Sequence, residues 1–278
     1  SQGQGMETTL AQVVAEELGV KVEDVDIVLG DTASVSHGTG TYASRGAVFG
    51  GGAGILAAKA VHEKIVRVAG HLLEAAVEDI ETGNGDVRVK GTDKSMTIRD
   101  LARALYSDMG RVPKDMRDEI DNLEATKVYD PFFGTTTSAS HMCLIEVDPE
   151  TYKVEIKRYI VVEDCGRVIN PLIADGQAHG GVAQGIGVAL MEEVIHDKTG
   201  QVLTASLVDY VVPSAVEIPS IDVVHVEAEL PGTVGGFRGL GEGGTIGAPA
   251  CIANAISDAL SPLGIEIMEI PATPERLF

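Results

Sequence analysis

Glycine constrains this chain more than any other residue: 33 of the 278 positions are glycine, and many gather in four short segments. These are Gly3-Gln4-Gly5, Gly38-Thr39-Gly40-Thr41-Tyr42-Ala43-Ser44-Arg45-Gly46, Gly176-Gln177-Ala178-His179-Gly180-Gly181-Val182-Ala183-Gln184-Gly185 and Gly241-Glu242-Gly243-Gly244. With no collagen-like period and only 11 prolines, the glycines must serve tight turns or close approach of the backbone to something bound. Each segment stands ahead of an apolar, helix-periodic run and is therefore expected to open a helix. A helix start presents free N–H groups and a positive dipole end, so four of them can surround one large anionic ligand. For any one segment alone, the ordinary reading is that glycines cap and space helices. None of the four is a phosphate-binding P-loop, because no Gly-Lys-Ser/Thr follows. None is a dinucleotide fingerprint, because no strand–Gly-x-Gly-x-x-Gly–helix unit with a later acidic residue is present.

Composition narrows the ligand class. A hydrophobic fraction of 44% supports a real core, while a formal charge of −21 repels phosphate backbones and anionic lipid. No Lys/Arg cluster interrupts that acidity, which argues against nucleic-acid and membrane-surface roles. There is no run of eighteen apolar residues and no basic-then-apolar leader, so a soluble, cytoplasmic chain is expected. Cys143, Cys165 and Cys251 are far apart and form no Cys-x-x-Cys pair, which argues against iron–sulfur clusters, structural zinc or a disulfide framework.

Periodicity predicts an α+β fold. Helices are expected over 6–18, ended by Gly19; over about 53–80; after the Thr97/Asp100 capping box, carrying Leu101 and Leu105; and near 177–193 and 245–260. Strands are expected over 25–29, 201–212 and 221–229, with a hairpin of 142–147 and 154–162 joined by Asp148-Pro149-Glu150-Thr151. The charged stretch 107–130 reads as a surface excursion between two lobes, about 1–125 and 126–278.

Four segments carry a resemblance. Gln4-Gly5-Met6-Glu7-Thr8, Thr41-Tyr42-Ala43-Ser44-Arg45, Gly180-Gly181-Val182-Ala183-Gln184-Gly185-Ile186-Gly187 and Gly241-Glu242-Gly243-Gly244, in this order, with Asn170-Pro171 ahead of the third, resemble the xanthine dehydrogenase/aldehyde oxidase/aerobic carbon monoxide dehydrogenase family. The likeness is to the C-terminal, molybdopterin-binding half of the large subunit. It implies mixed sheets, helices opened by glycine-rich turns, and a molybdopterin dinucleotide in its cytosine form with an oxo-sulfido molybdenum. By the resemblance no side chain ligates the metal. Gln4, Gly5, Thr41, Tyr42, Ala43, Ser44, Arg45, Gln184 and Gly241 match cofactor-binding positions, with the Ala43 loop beside the molybdenum. Backbone and amide donors suit a pterin pyrophosphate without lysine charge, which agrees with an acidic chain.

Taken alone, Glu242 is a carboxylate favoured at a helix start. The resemblance instead matches it to the family's general base, which takes a proton from a water-derived hydroxyl as an electron-poor carbon is oxidised. His179, Asp164, Cys165 and Arg238 lie near the motifs, but no spacing makes them a nucleophilic constellation, and they read as packing or supporting residues. The resemblance implies partners: the remaining half of the molybdenum subunit, an iron–sulfur [2Fe-2S] subunit, an FAD subunit and a small-molecule substrate. The chain is then expected to be a split subunit or a fragment, to expose apolar surface that the missing half covers, and to be inactive and self-associated alone. Two other readings stay on the page. One is a non-catalytic assembly subunit of the same fold, against which Gln4, Gln184 and Glu242 stand together; the other is a nucleotide-binding domain of unrelated fold, which lacks its fingerprints.

Overall fold

The structure is a computed structural model covering residues 1–278, with all but Ser36, Met109, Phe132, Phe133, Gly134 and Glu229 described. Contacts divide the chain into two compact units, Ser1–Gly134 with Gly232–Gly235, and Thr135–Pro231 with Gly236–Phe278.

In the first unit, helix α1 spans Met6–Leu18 and ends as its glycine requires, with Gly19 in the left-handed region. The long second helix is preceded by a π-helical turn, Gly46–Gly51, and α2 itself spans Gly52–Leu72. It stops well short of residue 80, because Glu74 takes a positive φ and the Ala75 N–H turns back to the Gly70 carbonyl at 2.9 Å. The sheet that follows was not foreseen: β1 (Ile80–Gly83), β2 (Asp86–Val89) and β3 (Ser95–Thr97) form an antiparallel meander. These strands are only three or four residues long, too short for alternation to stand out. The capping box forms: Thr97 Oγ1 accepts the Asp100 N–H at 3.0 Å and starts α3 (Ile98–Tyr106), which buries Leu101 and Leu105.

One expectation fails here. Residues 25–29 join no strand ladder, and Val28 is 57% exposed. The 107–130 stretch, apart from Met109, which lies outside the described residues, runs largely over the surface but is anchored to the core of this unit. Val112 and Ile120, the latter closing α4 (Lys114–Ile120), enter the same core as Ile65, Val68 and Val87. Lys64 on α2 donates to the carbonyls of Asn122 and Glu124, each at 2.8 Å, and so ties the stretch down. Val112 and Ile120, with half-buried Met116 and Leu123 packed beside them, are few among many charged residues, so the surrounding charge hides them in the sequence.

In the second unit, β4 (Ser138–Val147) pairs antiparallel with β5 (Val154–Asp164), and β5 pairs parallel with β6 (Ile221–His225). The hairpin turn is closed by Asp148, whose Oδ1 accepts the N–H groups of Glu150 and Thr151. The expected strand over 201–212 does not form; a single bridge, His196 with Val202, is its only trace among the described residues. Leu207 and Val208 are 79% and 87% exposed, so these apolar side chains are left at the surface. The strand near 221–229 ends at His225, and its last expected residue, Glu229, lies outside the described residues.

Helix α5 spans Pro171–Leu190; Asn170 caps it through its side chain, and Pro171 sits in its first turn. The third glycine segment therefore opens no helix: it lies inside α5, where its glycines are contact points. The last expected helix is two, the single turn α6 (Gly243–Ile246) and α7 (Ala248–Leu260), parted at Gly247. A short α8 (Pro274–Leu277) follows. Tyr159, Val161, Val182, Ile186, Ile252 and Ile256 form the core between sheet and helices. No helix among the described residues is long and apolar enough to cross a membrane.

The α5–α6 contact is backbone on backbone. A Cβ on Gly181 would lie 2.8 Å from the Thr245 nitrogen and 2.9 Å from the Gly244 Cα, and one on Gly244 would lie 2.5 Å from the Ala178 carbonyl oxygen. Alanine inside a helix gains about 1 kcal/mol over glycine, but forcing atoms into a filled contact costs about 1–3 kcal/mol. Gly181→Ala should therefore lower stability by up to about 2 kcal/mol despite its better helix propensity. Urea unfolding of the variant and the parent chain measures this; equal or greater stability for the variant would show that the contact is looser than described.

Candidate functional site

The first unit gathers two of the glycine segments. Gly5 is the N-cap of α1 in the left-handed conformation (φ 74°), and no side chain caps the helix. The loop over 41–45 carries two consecutive left-handed non-glycines, Ala43 (φ 51°) and Ser44 (φ 54°). Such a pair costs energy and marks a loop held in one shape. Arg45 helps to hold it: its guanidinium donates to Thr39 Oγ1 at 3.0 Å and Tyr42 Oη at 2.7 Å, and lies over the Tyr42 and Phe49 rings. The two segments adjoin at Gly46, where a Cβ would lie 2.8 Å from Met6 Sδ. Space is open over Gly3, Gly38 and Gly40, at which a Cβ would meet nothing within 4 Å. Gln4 Oε1 accepts the Gln2 N–H at 2.6 Å.

The second unit brings together Gln184, Gly241 and Glu242. Gln184 projects from α5 toward α6, where Thr245 donates to its Oε1 at a long 3.5 Å. Glu242 is the exposed N-cap of α6, and its backbone is held on both sides. Its carbonyl accepts the Thr245 and Ile246 N–H groups, and the next N–H, of Gly243, donates to the Leu240 carbonyl at 2.9 Å.

Three side chains that sequence reasoning missed surround this turn. Strand register places Tyr159, Val161 and Glu163 of β5 on one face with His141 of β4, which pairs with Val161. His141 Nε2 donates to the Gly243 carbonyl at 3.1 Å, and Tyr159 Oη sits 2.8 Å from His141 Nδ1. Burial holds the imidazole below its ordinary range, opposed by the bond to Gly243. Glu163 is 2% exposed, and neither carboxylate oxygen has a hydrogen-bond partner among the described residues. Its Oε2 lies 2.6 Å from where a Cβ on Gly243 would stand, its Oε1 faces His225 Nδ1 at 3.3 Å, and His225 Nε2 meets Asp175 Oδ1 at 2.8 Å. The signal available in the sequence was an acid at the third inward position of an alternating strand, Tyr159-x-Val161-x-Glu163.

The other residues near the motifs have structural duties. Asp164 pairs with Arg238 at 3.2 Å and accepts the Gly166 and Ala228 N–H groups. Burial pushes the Cys165 thiol up to about 11, far from a thiolate at neutral pH. His179 meets the Ile221 carbonyl at 3.1 Å. No group of three or more His, Cys, Asp or Glu that could hold a metal ion occurs among the described residues.

A model of the molybdopterin cofactor-binding domain matches residues 1–219. The chain belongs to that family. It is 41% identical over 278 residues to the nicotine 6-hydroxylase large subunit of Paenarthrobacter nicotinovorans, covering 100% of this chain and 34% of that protein. It is 36% identical to the carbon monoxide dehydrogenase large chain of Afipia carboxidovorans, again over 100% of this chain and 34% of that protein. Among solved structures, quinoline 2-oxidoreductase from Pseudomonas putida 86 superposes with a TM-score of 0.90 at 44% identity, covering 100% of this chain and 35% of that one. The chain thus spans about a third of the length of the relatives it matches.

Glu163 makes stability depend on pH. Burial raises its pKa above the ordinary 4.5; His225 opposes the shift and Asp175 adds to it. A raised folded-state pKa stabilises fully below the unfolded value, and the contribution is lost as pH rises through the folded one. Glu163→Gln keeps the shape without the charge. Its melting temperature should match the parent near about pH 4 and exceed it increasingly toward about pH 8; a difference that does not grow with pH would mean that the charge is compensated.

Proposed function

We propose that the chain supplies the general base and part of the cofactor cradle of a molybdenum hydroxylase, working with the rest of the large subunit. The observation that carries this reading is the turn at Glu242, an exposed carboxylate whose flanking backbone is fixed by α5, Leu240 and His141. The residues fit a molybdopterin dinucleotide: the open glycines, the uncapped start of α1 and the Gln4 and Gln184 amides offer uncharged donors with room for close approach. Gln4, Gly5, the Thr41–Arg45 loop, Gln184 and Gly241 are the residues that would hold it. When bound, the cofactor supplies the two-electron redox chemistry.

Glu242 accepts the proton of a water-derived hydroxyl as that oxygen is passed to an electron-poor carbon of the substrate. The fixed backbone limits where its carboxylate can reach. The supporting loop does no proton chemistry: Arg45 braces it, and Ala43 leaves room beside the reacting centre. Electrons leave to [2Fe-2S] and FAD groups on partner chains, since the three cysteines here make no cluster motif. The cytosine dinucleotide and a cytoplasmic site of action belong to the same reading. Exposed Leu203, Leu207, Val208 and Val216 suit burial against the remaining part of the large subunit.

Two outcomes are expected in the assembled enzyme. Glu242→Gln should keep its molybdenum while kcat falls by about 10²–10⁴ or more, the size of a lost general base; near-normal turnover in a fully metallated variant would remove Glu242 from the mechanism. Gln184→Ala and Gly5→Val should lower molybdenum content more than they lower melting temperature. Full metal content in both would displace the cradle proposed here.

A further inference from the structure

The imidazole of His141 touches both ends of α6. Besides its 3.1 Å bond to the Gly243 carbonyl, its Cδ2 and Nε2 lie 2.5 Å and 2.8 Å from where a Cβ on Gly247 would stand. The ring therefore fits only because Gly247, at the end of the turn, leaves room for it. Its tautomer follows from its neighbours. A carbonyl can only accept, so Nε2 must carry the proton and Nδ1 must accept from the Tyr159 hydroxyl. Tyr159 is fully buried, and burial raises its pKa, so it keeps the proton it donates. The backbone around Glu242 is then accounted for group by group: its own carbonyl by α6, the next N–H by Leu240, the next carbonyl by His141. Of these, His141 is the only side chain, and it reaches the turn from 102 residues away.

We propose that His141 is a positioning residue for Glu242, and that Tyr159 supports it by donating to the Nδ1 of the imidazole, whose tautomer the Gly243 carbonyl sets. The proposal rests on the reading of Glu242 as the general base. His141 touches no reacting atom. It holds the peptide after Glu242, so that the carboxylate is presented from one place; a misplacement of about 1 Å at a reacting group can cost about a hundredfold in rate.

The test uses the enzyme assembled with its partner chains, comparing His141→Ala, His141→Gln, Tyr159→Phe and Glu242→Gln at equal molybdenum content. The expected result is a fall in kcat of about tenfold or more for His141→Ala with KM changed by less than about twofold. His141→Gln, which keeps an N–H donor, should recover most of it. Hydrogen exchange at the amides of 243–246 should quicken in His141→Ala and not in His141→Gln. If His141→Ala fails to assemble, Tyr159→Phe decides: a several-fold lower kcat at unchanged KM supports the proposal, and an unchanged kcat overturns it. Parent-like turnover in metallated His141→Ala, with Glu242→Gln inactive, overturns the positioning role alone. Equal losses in both His141 variants overturn it as well, since the retained N–H donor then makes no difference. An active Glu242→Gln overturns the reading of the base and the proposal with it.

Discussion

Everything in the second unit is arranged around helix α6 lying directly on helix α5, main chain against main chain. The contact between Gly181 and Gly244 leaves no layer of side chains between them. Such proximity gives strong dispersion contacts at the cost of all adjustability, because neither main chain can yield without moving a whole helix. The sheet beneath then needs only to hold the turn from its other contacts. It does so with side chains at the inward positions of β4 and β5, where the pleat aims them into the core.

Two of those inward side chains are polar, and they differ in what they cost. His141 is satisfied at both nitrogens, so burying it exchanges water partners for protein ones at little net loss. Glu163 is not. A buried carboxylate without hydrogen-bond partners is among the costliest arrangements a core can hold, and folding alone gives no reason for an acid at that strand position. Its chain of contacts through His225 to half-exposed Asp175 is a partial remedy, sharing charge between the interior and the surface.

Much of this was legible in the sequence, and the failures have physical causes. Helix α1 and its glycine stop, the Thr97 cap and the Asp148 turn rest on local chemistry, within a few residues, and the sequence states such rules directly. The short strands β1–β3 were hidden because three or four residues give alternation no room to show. The 201–212 segment misled because apolar alternation says that a strand wants burial, not that this chain provides the partner. Glycines inside α5 looked like a turn because composition cannot separate a glycine that bends a chain from one that lets another chain approach. In the site, Glu242 stood out by its neighbours, whereas His141 did not: nothing local marks a histidine whose purpose lies 102 residues away.

The glycines flanking Glu242 bear on how such a site can change over time. At 243, 244 and 247 the smallest step available to a lineage, one methyl group, already meets a neighbour at 2.6 Å or less. At 244 that neighbour is main chain and cannot step aside, whereas at 243 it is the end of the Glu163 side chain and at 247 the His141 ring. Gradual adjustment of the turn has to come through side chains that can be exchanged for others of similar reach, so diversification should proceed by changes in the residues around the turn while the turn itself stands still.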